Sequence, residues 1–141
     1  MTNSKKQKAI ICDLDGTLAI IGDRSPYDSA NCHLDALNAP VYDVLDRYFD
    51  AGFKIILFSG RDGAFEKETH AWLKKYQVPF DLCILREPGN REKDAIIKEQ
   101  MYRKFVEGKY DVLFVLDDRD QVVKMWRELG LTCFQVNYGN F

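Results

Sequence analysis

The chain lacks the features that would place it in several large classes of protein. It has four cysteines in 141 residues but no CxxC pair, which argues against a zinc knuckle or a thioredoxin-like site. No apolar run reaches the length of a membrane span, and no signal-peptide core follows the polar, basic start. We therefore expect no membrane contact, a cytoplasmic location and reduced thiols.

An excess of positive charge is also missing. The formal net charge is −2 and the sequence pI is about 5.7, whereas a protein that coats nucleic acid nonspecifically would be basic. With 46% hydrophobic and 30% charged residues, the composition is that of a soluble globular protein. A local basic pocket for one phosphate remains compatible with this balance.

Internal repeats, low-complexity tracts and linkers are absent as well. The length favours a single domain with a hydrophobic core, expected over residues 8–141 after a frayed N-terminus at 1–7. Cys12, Cys83 and Cys133 lie in apolar runs and are expected to be buried, whereas Cys32 lies in a polar segment and is a candidate for exposure.

Apolar runs alternate with amphipathic segments along the whole chain. The runs at 55–58 and 112–116 are continuously apolar, which is typical of strands buried on both faces of a parallel sheet. The alternation predicts an α/β fold with a doubly wound, Rossmann-like parallel sheet. The strand candidates are 9–13, 53–59, 80–86, 112–117 and 132–136, and the helix candidates are 41–51, 64–76, 93–106 and 120–129.

Polar residues follow four of the predicted strands at the point where each strand ends. They are Asp13-Leu14-Asp15, Ser59-Gly60-Arg61, Arg86-Glu87 and Asp117-Asp118-Arg119. Ligands of doubly wound sheets bind beyond the carboxyl ends of the strands. We therefore expect these side chains to meet in one site.

The first of these segments carries the strongest chemical signal. Asp13 and Asp15 are two residues apart at a strand end, so both carboxylates can converge on one point, and Gly16 allows the backbone to turn there. Converging carboxylates repel each other unless a cation lies between them, and oxygen ligands of this kind favour Mg²⁺. Asp13 is the candidate nucleophile and Asp15 the candidate acid/base, although Asp15 could instead be a turn residue or a metal ligand.

The pattern DxDGT resembles motif I of the haloacid dehalogenase (HAD) superfamily of aspartate-nucleophile phosphatases. Ser59 then matches motif II, in which a hydroxyl and the backbone N–H groups near Gly60 contact phosphate. Asp117 and Asp118 match the acidic motif IV, which implies a Mg²⁺ site together with Asp13 and a carbonyl of Asp15. The alternatives are a turn serine and a helix N-cap at Asp118, and either aspartate of the pair could bind the metal directly.

Four cationic candidates remain, each with a surface role as the alternative. Lys93 and Lys98 both suit the motif III lysine, and Asp94 lies one turn before Lys98, where it could orient that side chain. Arg24 and Arg61 offer planar guanidinium groups that can bind phosphate oxygens in pairs.

Longer strings extend the resemblance beyond the superfamily. DLDGTLA, GDRSPYD, FSGR, LREPGNREKDAIIKEQM and LDDRDQVVKMWRELG look like the 3′-phosphatase domain of bacteriophage T4-type polynucleotide kinase/phosphatases, over nearly all of residues 8–141. The resemblance implies Mg²⁺-dependent hydrolysis of a 3′-terminal phosphate, or a 2′,3′-cyclic phosphate, on DNA or RNA ends. It implies that Asp13 is the nucleophile and Asp15 the acid/base. It also implies phosphate contacts from Ser59, Arg61, Arg24 and Lys98, and supporting roles for Asp94, Asp117 and Asp118.

One departure from the family and one independent argument from length refine this expectation. The chain contains no GxxxxGK[ST] loop, so a 5′-kinase would have to be separate or fused elsewhere. The resemblance to phage enzymes implies a location in the cytoplasm of a phage or bacterial host. The segment between Asp15 and Ser59 is too short for a large cap domain, so the site should be open to a polymer end. Tyr27, Phe65 and Trp72 are candidates for stacking on a terminal base, with core packing as the alternative for Trp72.

Two other functions stay open at this point. A phosphatase of small phosphate esters or nucleotides would use the same machinery, and the substrate preference would separate the two. A non-catalytic HAD-fold binding module would be expected to have lost Asp13, Asp15 or the acidic pair, and all are present.

Overall fold

The computed structural model describes residues 6–22, 24, 25 and 28–141 of the chain. Most of the expected frayed end therefore lies outside the described residues, as does Tyr27. Gln7, which was expected to belong to that end, is instead the first residue of a strand.

The described residues form seven strands and four α-helices. The strands are β1 (Gln7–Asp13), β2 (Ala19–Ile20), β3 (Ala36–Leu37), β4 (Lys54–Asp62), β5 (Leu82–Arg86), β6 (Tyr110–Asp117) and β7 (Cys133–Gln135), and the helices are α1 (Ala39–Asp50), α2 (Glu66–Lys75), α3 (Asp94–Phe105) and α4 (Asp120–Glu128). Each of the five predicted strands and four predicted helices is present, with ends shifted by a few residues.

Five of the strands form one parallel sheet in the order β5-β4-β1-β6-β7. The chain runs outward from β1 through β4 to β5 and then returns to the other side of β1 with β6. The strand order therefore reverses beside β1, and the crevice at this reversal is where doubly wound sheets bind ligands. Asp13 ends β1 and Asp117 ends β6, so both lie at this crevice.

Two hydrophobic clusters cover the two faces of the sheet. Alternate residues of β1 explain the division, because Ile10 and Cys12 pack on one face with α1 and α2, while Ala9 and Ile11 pack on the other with α3 and α4. Helices on both faces of a parallel sheet confirm the doubly wound α/β fold predicted from the sequence.

The segment between β1 and β4 is small, as expected. In the part that the structure describes, it holds the antiparallel pair β2–β3, a 3₁₀ helix at Ser29–Leu34 and α1. The β2–β3 pair and the 3₁₀ helix were not predicted, because two-residue strands leave no periodic signal. No large cap domain lies over the sheet in this segment.

Two local expectations were wrong. Cys32 is fully buried, because the 3₁₀ helix turns it inward, and all four cysteines are free thiols. Ser59 does not end its strand, since β4 continues to Asp62 through an irregularity in its pairing with β5 between Ser59 and Asp62. None of the described helices is long and apolar enough to cross a bilayer.

Candidate active site

Asp13 lies at the centre of the site. It is the last residue of β1, between two neighbouring strands, and only 5% of its surface is exposed. Lys98 Nζ lies 2.7 Å from its Oδ1, and the Thr17 hydroxyl donates to its Oδ2 at 3.1 Å. Both oxygens are thus oriented by hydrogen bonds, which fixes the carboxylate in the way a nucleophile requires.

Three buried carboxylates converge around this point. Oxygens of Asp13, Asp117 and Asp118 all lie within 4.8 Å of one another. Burial raises the pKa of Asp13 well above its usual range, the Asp117 carboxylate adds to the rise, and Lys98 opposes it. Burial likewise raises the pKa of Asp118.

Lys98 is the cation in this cluster. Its ammonium is 1% exposed and lies 3.2 Å from Asp117 Oδ2 and 3.6 Å from Asp94 Oδ2, in addition to its contact with Asp13. Burial alone would lower its pKa, but Asp117 and Asp13 raise it well above the usual value, which favours the charged form. The structure thus brings Lys98 to Asp13, whereas Lys93 is exposed at the start of α3.

The cluster fits a divalent metal ion. When all three carboxylates are ionised, they outnumber the single ammonium and leave two uncompensated negative charges in a buried space. A side chain at Gly16 would overlap the Asp118 carboxylate, so the turn after β1 keeps that carboxylate close. A buried, negatively charged set of oxygen donors suits Mg²⁺, with Asp13, Asp117 and Asp118 as the residues that would hold it.

A second network surrounds Asp15. Arg61 donates to Asp15 Oδ1 from Nε at 3.0 Å and from Nη2 at 2.7 Å, and Arg24 donates to the same oxygen at 2.9 Å. Behind them, the buried Asp35 accepts two hydrogen bonds from Arg24, at 2.8 and 2.7 Å, and one from Arg61 at 3.3 Å. The hydrogen bond to Asp35 raises the pKa of Arg24, and the nearby Asp15 raises that of Arg61 in spite of its burial.

These arginines therefore hold the acid/base candidate. Arg61 also lines the central cavity, whereas Arg24 has 5% of its side chain exposed and is not part of the cavity wall. The predicted phosphate contact of Arg24 stays a prediction, while its contact with Asp15 is a feature of the structure.

Ser59 and Gly60 lie near the end of β4, next to the cavity. The Ser59 hydroxyl is buried and accepts a hydrogen bond from the Arg61 backbone N–H at 3.1 Å. Gly60 forms part of the cavity wall, and a side chain there would overlap the Asp94 carboxylate. Glycine at this position allows α3, which carries Asp94 and Lys98, to approach the end of β4.

The cavity that contains these groups has a volume of about 730 Å³ and opens to solvent. Phe65 lies in its wall, as its candidacy for base stacking requires. Trp72 is 1% exposed and donates to the Asp35 backbone carbonyl at 2.9 Å, so core packing accounts for it. The remaining cavity residues are Asp13, Asp15, Gly60, Arg61, Asp62, Arg86, Asn90, Arg91, Glu92, Lys93, Asp94, Asp118, Arg119 and Phe141.

Sequence reasoning missed several residues of the site. Thr17 belongs to the DxDGT pattern and bridges Asp13 and Asp118, yet only its place in the motif hinted at a role. Asp35 had no signal, because its partners are 11 and 26 residues away. Trp126 donates to Asp117 Oδ2 at 3.2 Å from the interior of α4, where its apolar spacing predicted core packing alone.

Comparisons with known proteins identify the family of this chain. The family model described as "Polynucleotide kinase PNKP phosphatase domain" matches residues 7–141. The protein named "Putative bifunctional polynucleotide kinase/RNA ligase" of Autographa californica nuclear polyhedrosis virus is 36% identical over 143 residues, which cover 94% of this chain and 20% of that protein.

Solved structures give the same result. Chains in two structures of a Pnkp1/Rnl/Hen1 complex, one of them described as an RNA repair complex, superpose with a TM-score of 0.96 at 48% and 47% identity. The alignments cover 99% and 100% of this chain, and 49% and 46% of those chains. A class C acid phosphatase from Bacillus anthracis with tungstate bound shares the fold, at 17% identity and a TM-score of 0.69 over 98% of this chain and 68% of that one.

The chain spans about a fifth of the viral relative and about half of the chains in the two complexes. Within that span, the order of the motifs, the strand order and the match over residues 7–141 agree with one another. The resemblance read from DxDGT and the longer strings is thereby confirmed: the chain belongs to the polynucleotide kinase phosphatase domains, a family of HAD-type phosphatases.

Proposed function

We propose that this chain is a Mg²⁺-dependent phosphatase that removes the 3′-terminal phosphate from polynucleotide ends through a transient phosphoryl group on Asp13. The observation that carries the proposal is the pairing of two differently held carboxylates in one open cavity. Asp13 is oriented by Lys98 at 2.7 Å, and Asp15 is oriented by two arginines through a single oxygen.

In the first step, an Asp13 oxygen attacks phosphorus and the bond from phosphorus to the 3′-oxygen breaks. The leaving oxygen takes a proton from Asp15. Among the described residues, the hydrogen bonds to the Asp15 carboxylate all reach Oδ1, which leaves Oδ2 to carry that proton. Lys98 and Arg61, which lie beside the two carboxylates, neutralise the negative charge of the phosphoryl oxygens.

In the second step, water attacks phosphorus and the bond to Asp13 breaks. Asp15 takes the proton from the water, inorganic phosphate leaves and Asp13 returns to its starting form. A bound Mg²⁺, held by Asp13, Asp117 and Asp118 and by the Asp15 carbonyl expected from the family, would supply charge neutralisation at the phosphoryl group.

We further propose that the ends are RNA ends. The relatives support this choice, because one is described as a polynucleotide kinase/RNA ligase and another belongs to an RNA repair complex. By the same reasoning, a kinase and a ligase act with this domain, in the same or a separate chain. A 2′,3′-cyclic phosphate end is the second proposed substrate, and the predicted cytoplasmic location stays a prediction.

The experiment that tests the proposal compares matched substrates. The rate of phosphate release is measured on an RNA oligonucleotide with a 3′-phosphate, the same RNA with a 5′-phosphate, the DNA version of each and nucleoside 3′-monophosphates. We expect release from the 3′-phosphorylated RNA at the highest kcat/KM and none from the 5′-phosphorylated strands. Asp13→Asn should be inactive on all of them, whereas Asp43→Asn, at an exposed position of α1, is the matched control.

Two results would overturn the proposal. A preference for free nucleotides over oligonucleotides would favour the phosphatase of small phosphate esters. No release from any substrate in the presence of Mg²⁺ would favour the non-catalytic binding module.

A further inference from the structure

Five basic side chains line the cavity, and three of them already contact carboxylates. Arg61 binds Asp15, Arg86 Nη2 lies 3.4 Å from Asp94 Oδ1, and Arg119 Nη1 lies 3.7 Å from Asp94 Oδ2. Arg119 also lies 4.8 Å from the centre of the Phe141 ring and donates to the Phe141 carbonyl at 2.8 Å. The charges of these three are thus engaged within the protein.

The other two, Arg91 and Lys93, are different. Both are exposed at the cavity mouth, and within the described part of the chain neither side chain has an ion pair, hydrogen bond or ring contact. Glu92 stands between them in the sequence, but its carboxylate is not within ion-pair distance of either one. The mouth therefore carries two cations whose charge no described carboxylate engages.

Hydrogen bonds from Arg86 and to Asp62 hold the loop that bears these cations in place. Arg86 donates from Nη1 to the backbone carbonyls of Asn90, at 3.0 Å, and of Glu92, and from Nε to the Gly60 carbonyl at 2.8 Å. The Gly89 N–H donates to Asp62 Oδ2 at 3.1 Å. These bonds tie the loop between β5 and α3 to the end of β4, so its two cations keep their place at the mouth.

We propose that Arg91 and Lys93 bind the internucleotide phosphates that precede the 3′-terminal phosphate, and so select a polynucleotide end over a mononucleotide. The inference rests on the proposed 3′-phosphatase function. Lys98 and Arg61 each lie 2.7 Å from an oxygen of Asp13 and Asp15, respectively, so they are placed beside the terminal phosphate rather than along the strand that precedes it. A strand that leaves the cavity carries internucleotide phosphates, which a mononucleotide lacks. Two further cations at the mouth are suited to bind those phosphates.

The first test removes the two cations together. Arg91→Ala/Lys93→Ala is compared with Arg103→Ala/Lys104→Ala, which loses the same charge at exposed positions in the last turn of α3. We expect kcat/KM on a 3′-phosphorylated RNA oligonucleotide to fall roughly tenfold through KM in the first variant only. The ratio of kcat/KM on that oligonucleotide to kcat/KM on the nucleoside 3′-monophosphate should fall by the same factor.

The salt dependence of kcat/KM distinguishes the loss of phosphate contacts from a merely structural effect, because only the loss of contacts changes its slope. Each phosphate contact on a single strand contributes about 0.7 to the slope of log(kcat/KM) against log[salt]. We expect the slope for Arg91→Ala/Lys93→Ala to be shallower by about 1.4 than that of the native chain, at constant Mg²⁺. An unchanged slope together with an unchanged oligonucleotide preference would overturn the proposal.

The second test alters the substrate as well as the protein. A short 3′-phosphorylated RNA with uncharged methylphosphonate linkages is compared with its normal phosphodiester counterpart. With the native chain the neutral linkages should cost roughly tenfold in kcat/KM, and with Arg91→Ala/Lys93→Ala they should cost nothing further. An equal loss with both proteins would overturn the proposal.

Failure of this inference is distinguishable from failure of the proposed function. If the native chain does not prefer 3′-phosphorylated oligonucleotides over nucleotides, the proposed function fails and this inference fails with it. If the native chain has that preference and Arg91→Ala/Lys93→Ala retains it in full, only this inference fails.

Discussion

Two charge networks lie side by side in this domain, and they differ in balance. Around Asp13, the carboxylates of Asp13, Asp117 and Asp118 meet one ammonium, that of Lys98, which pairs with Asp13 and Asp117 and also lies 3.6 Å from Asp94. Around Asp15, by contrast, two guanidinium groups face two carboxylates, so positive and negative charges are equal in number.

The difference separates two purposes that charged residues can serve in a protein. In a balanced network each charge has a partner of opposite sign within the protein, and removing one residue leaves a buried charge unpaired. An unbalanced network of carboxylates is incomplete by itself and favours a bound cation. The Asp13 network is therefore suited to hold a metal and an anionic phosphoryl group, and the Asp15 network is suited to hold one carboxylate in a fixed position.

The largest effect is expected from the centre of the unbalanced network. Asp13→Asn removes the attacking oxygen and should lower kcat by about 10⁴-fold or more, while the fold survives because one repelling charge is lost. Phosphate release and thermal unfolding of the variant check this. Substantial turnover by a folded Asp13→Asn protein would remove Asp13 from the role of nucleophile.

The next effect concerns the lone cation of that network. Lys98→Met leaves Asp13 and Asp117 buried without their ammonium partner, so we expect a loss of about 3–5 kcal/mol in the free energy of unfolding and about 10³-fold in kcat. Urea denaturation without metal measures the stability. Lys98→Arg, which keeps the charge, is the control and should lose less; an undiminished unfolding free energy in Lys98→Met would contradict the assignment.

A smaller effect is expected from the balanced network. Asp35→Asn leaves Arg24 and Arg61 to share Asp15, so the acid/base group shifts and kcat should fall about 10–100-fold. The pH profile of kcat should change along with its magnitude, because Asp15 is the proposed acid/base. Asp43→Asn controls for the loss of one exposed carboxylate, and a change in KM alone would refute this role for Asp35.

Metal addition gives the smallest expected effect on the free energy of unfolding and separates the two networks directly. Mg²⁺ at about 100 times its dissociation constant should raise the free energy of unfolding by about 2.7 kcal/mol. Asp117→Asn should weaken that gain, whereas Asp35→Asn should retain it. Turnover should stop in EDTA and return with Mg²⁺; stabilisation that is equal in both variants would place the metal elsewhere.

The sequence predicted that Asp13 and Asp117 lie at strand ends, because the signals for these strands are local. The apolar runs and the Asp13-Leu14-Asp15 spacing lie within a few residues, and the parallel fold carries each strand end to the same edge of the sheet. The same reasoning placed Asp117 and Asp118 opposite Asp13. The choice between Lys93 and Lys98 stayed open from the residues alone, because both lie on the helix predicted over residues 93–106.

Other features depended on contacts that sequence spacing does not carry. Asp35 joins Arg24 and Arg61 across 11 and 26 residues, and the burial of Cys32 follows from an unpredicted 3₁₀ helix. Ser59 was expected at a strand end, but the irregular pairing of β4 and β5 carries the strand on to Asp62.

The sequence alone determined the fold class and indicated the two aspartates proposed to react and the acidic pair, because strand periodicity and short motifs are properties of neighbouring residues. Tertiary structure decided which lysine reaches Asp13, which carboxylate holds the arginines and which cations remain unpaired at the cavity mouth. Those outcomes depend on how α3 and the β5–α3 loop pack against the end of β4. Packing of this kind is set by the whole core rather than by any one segment.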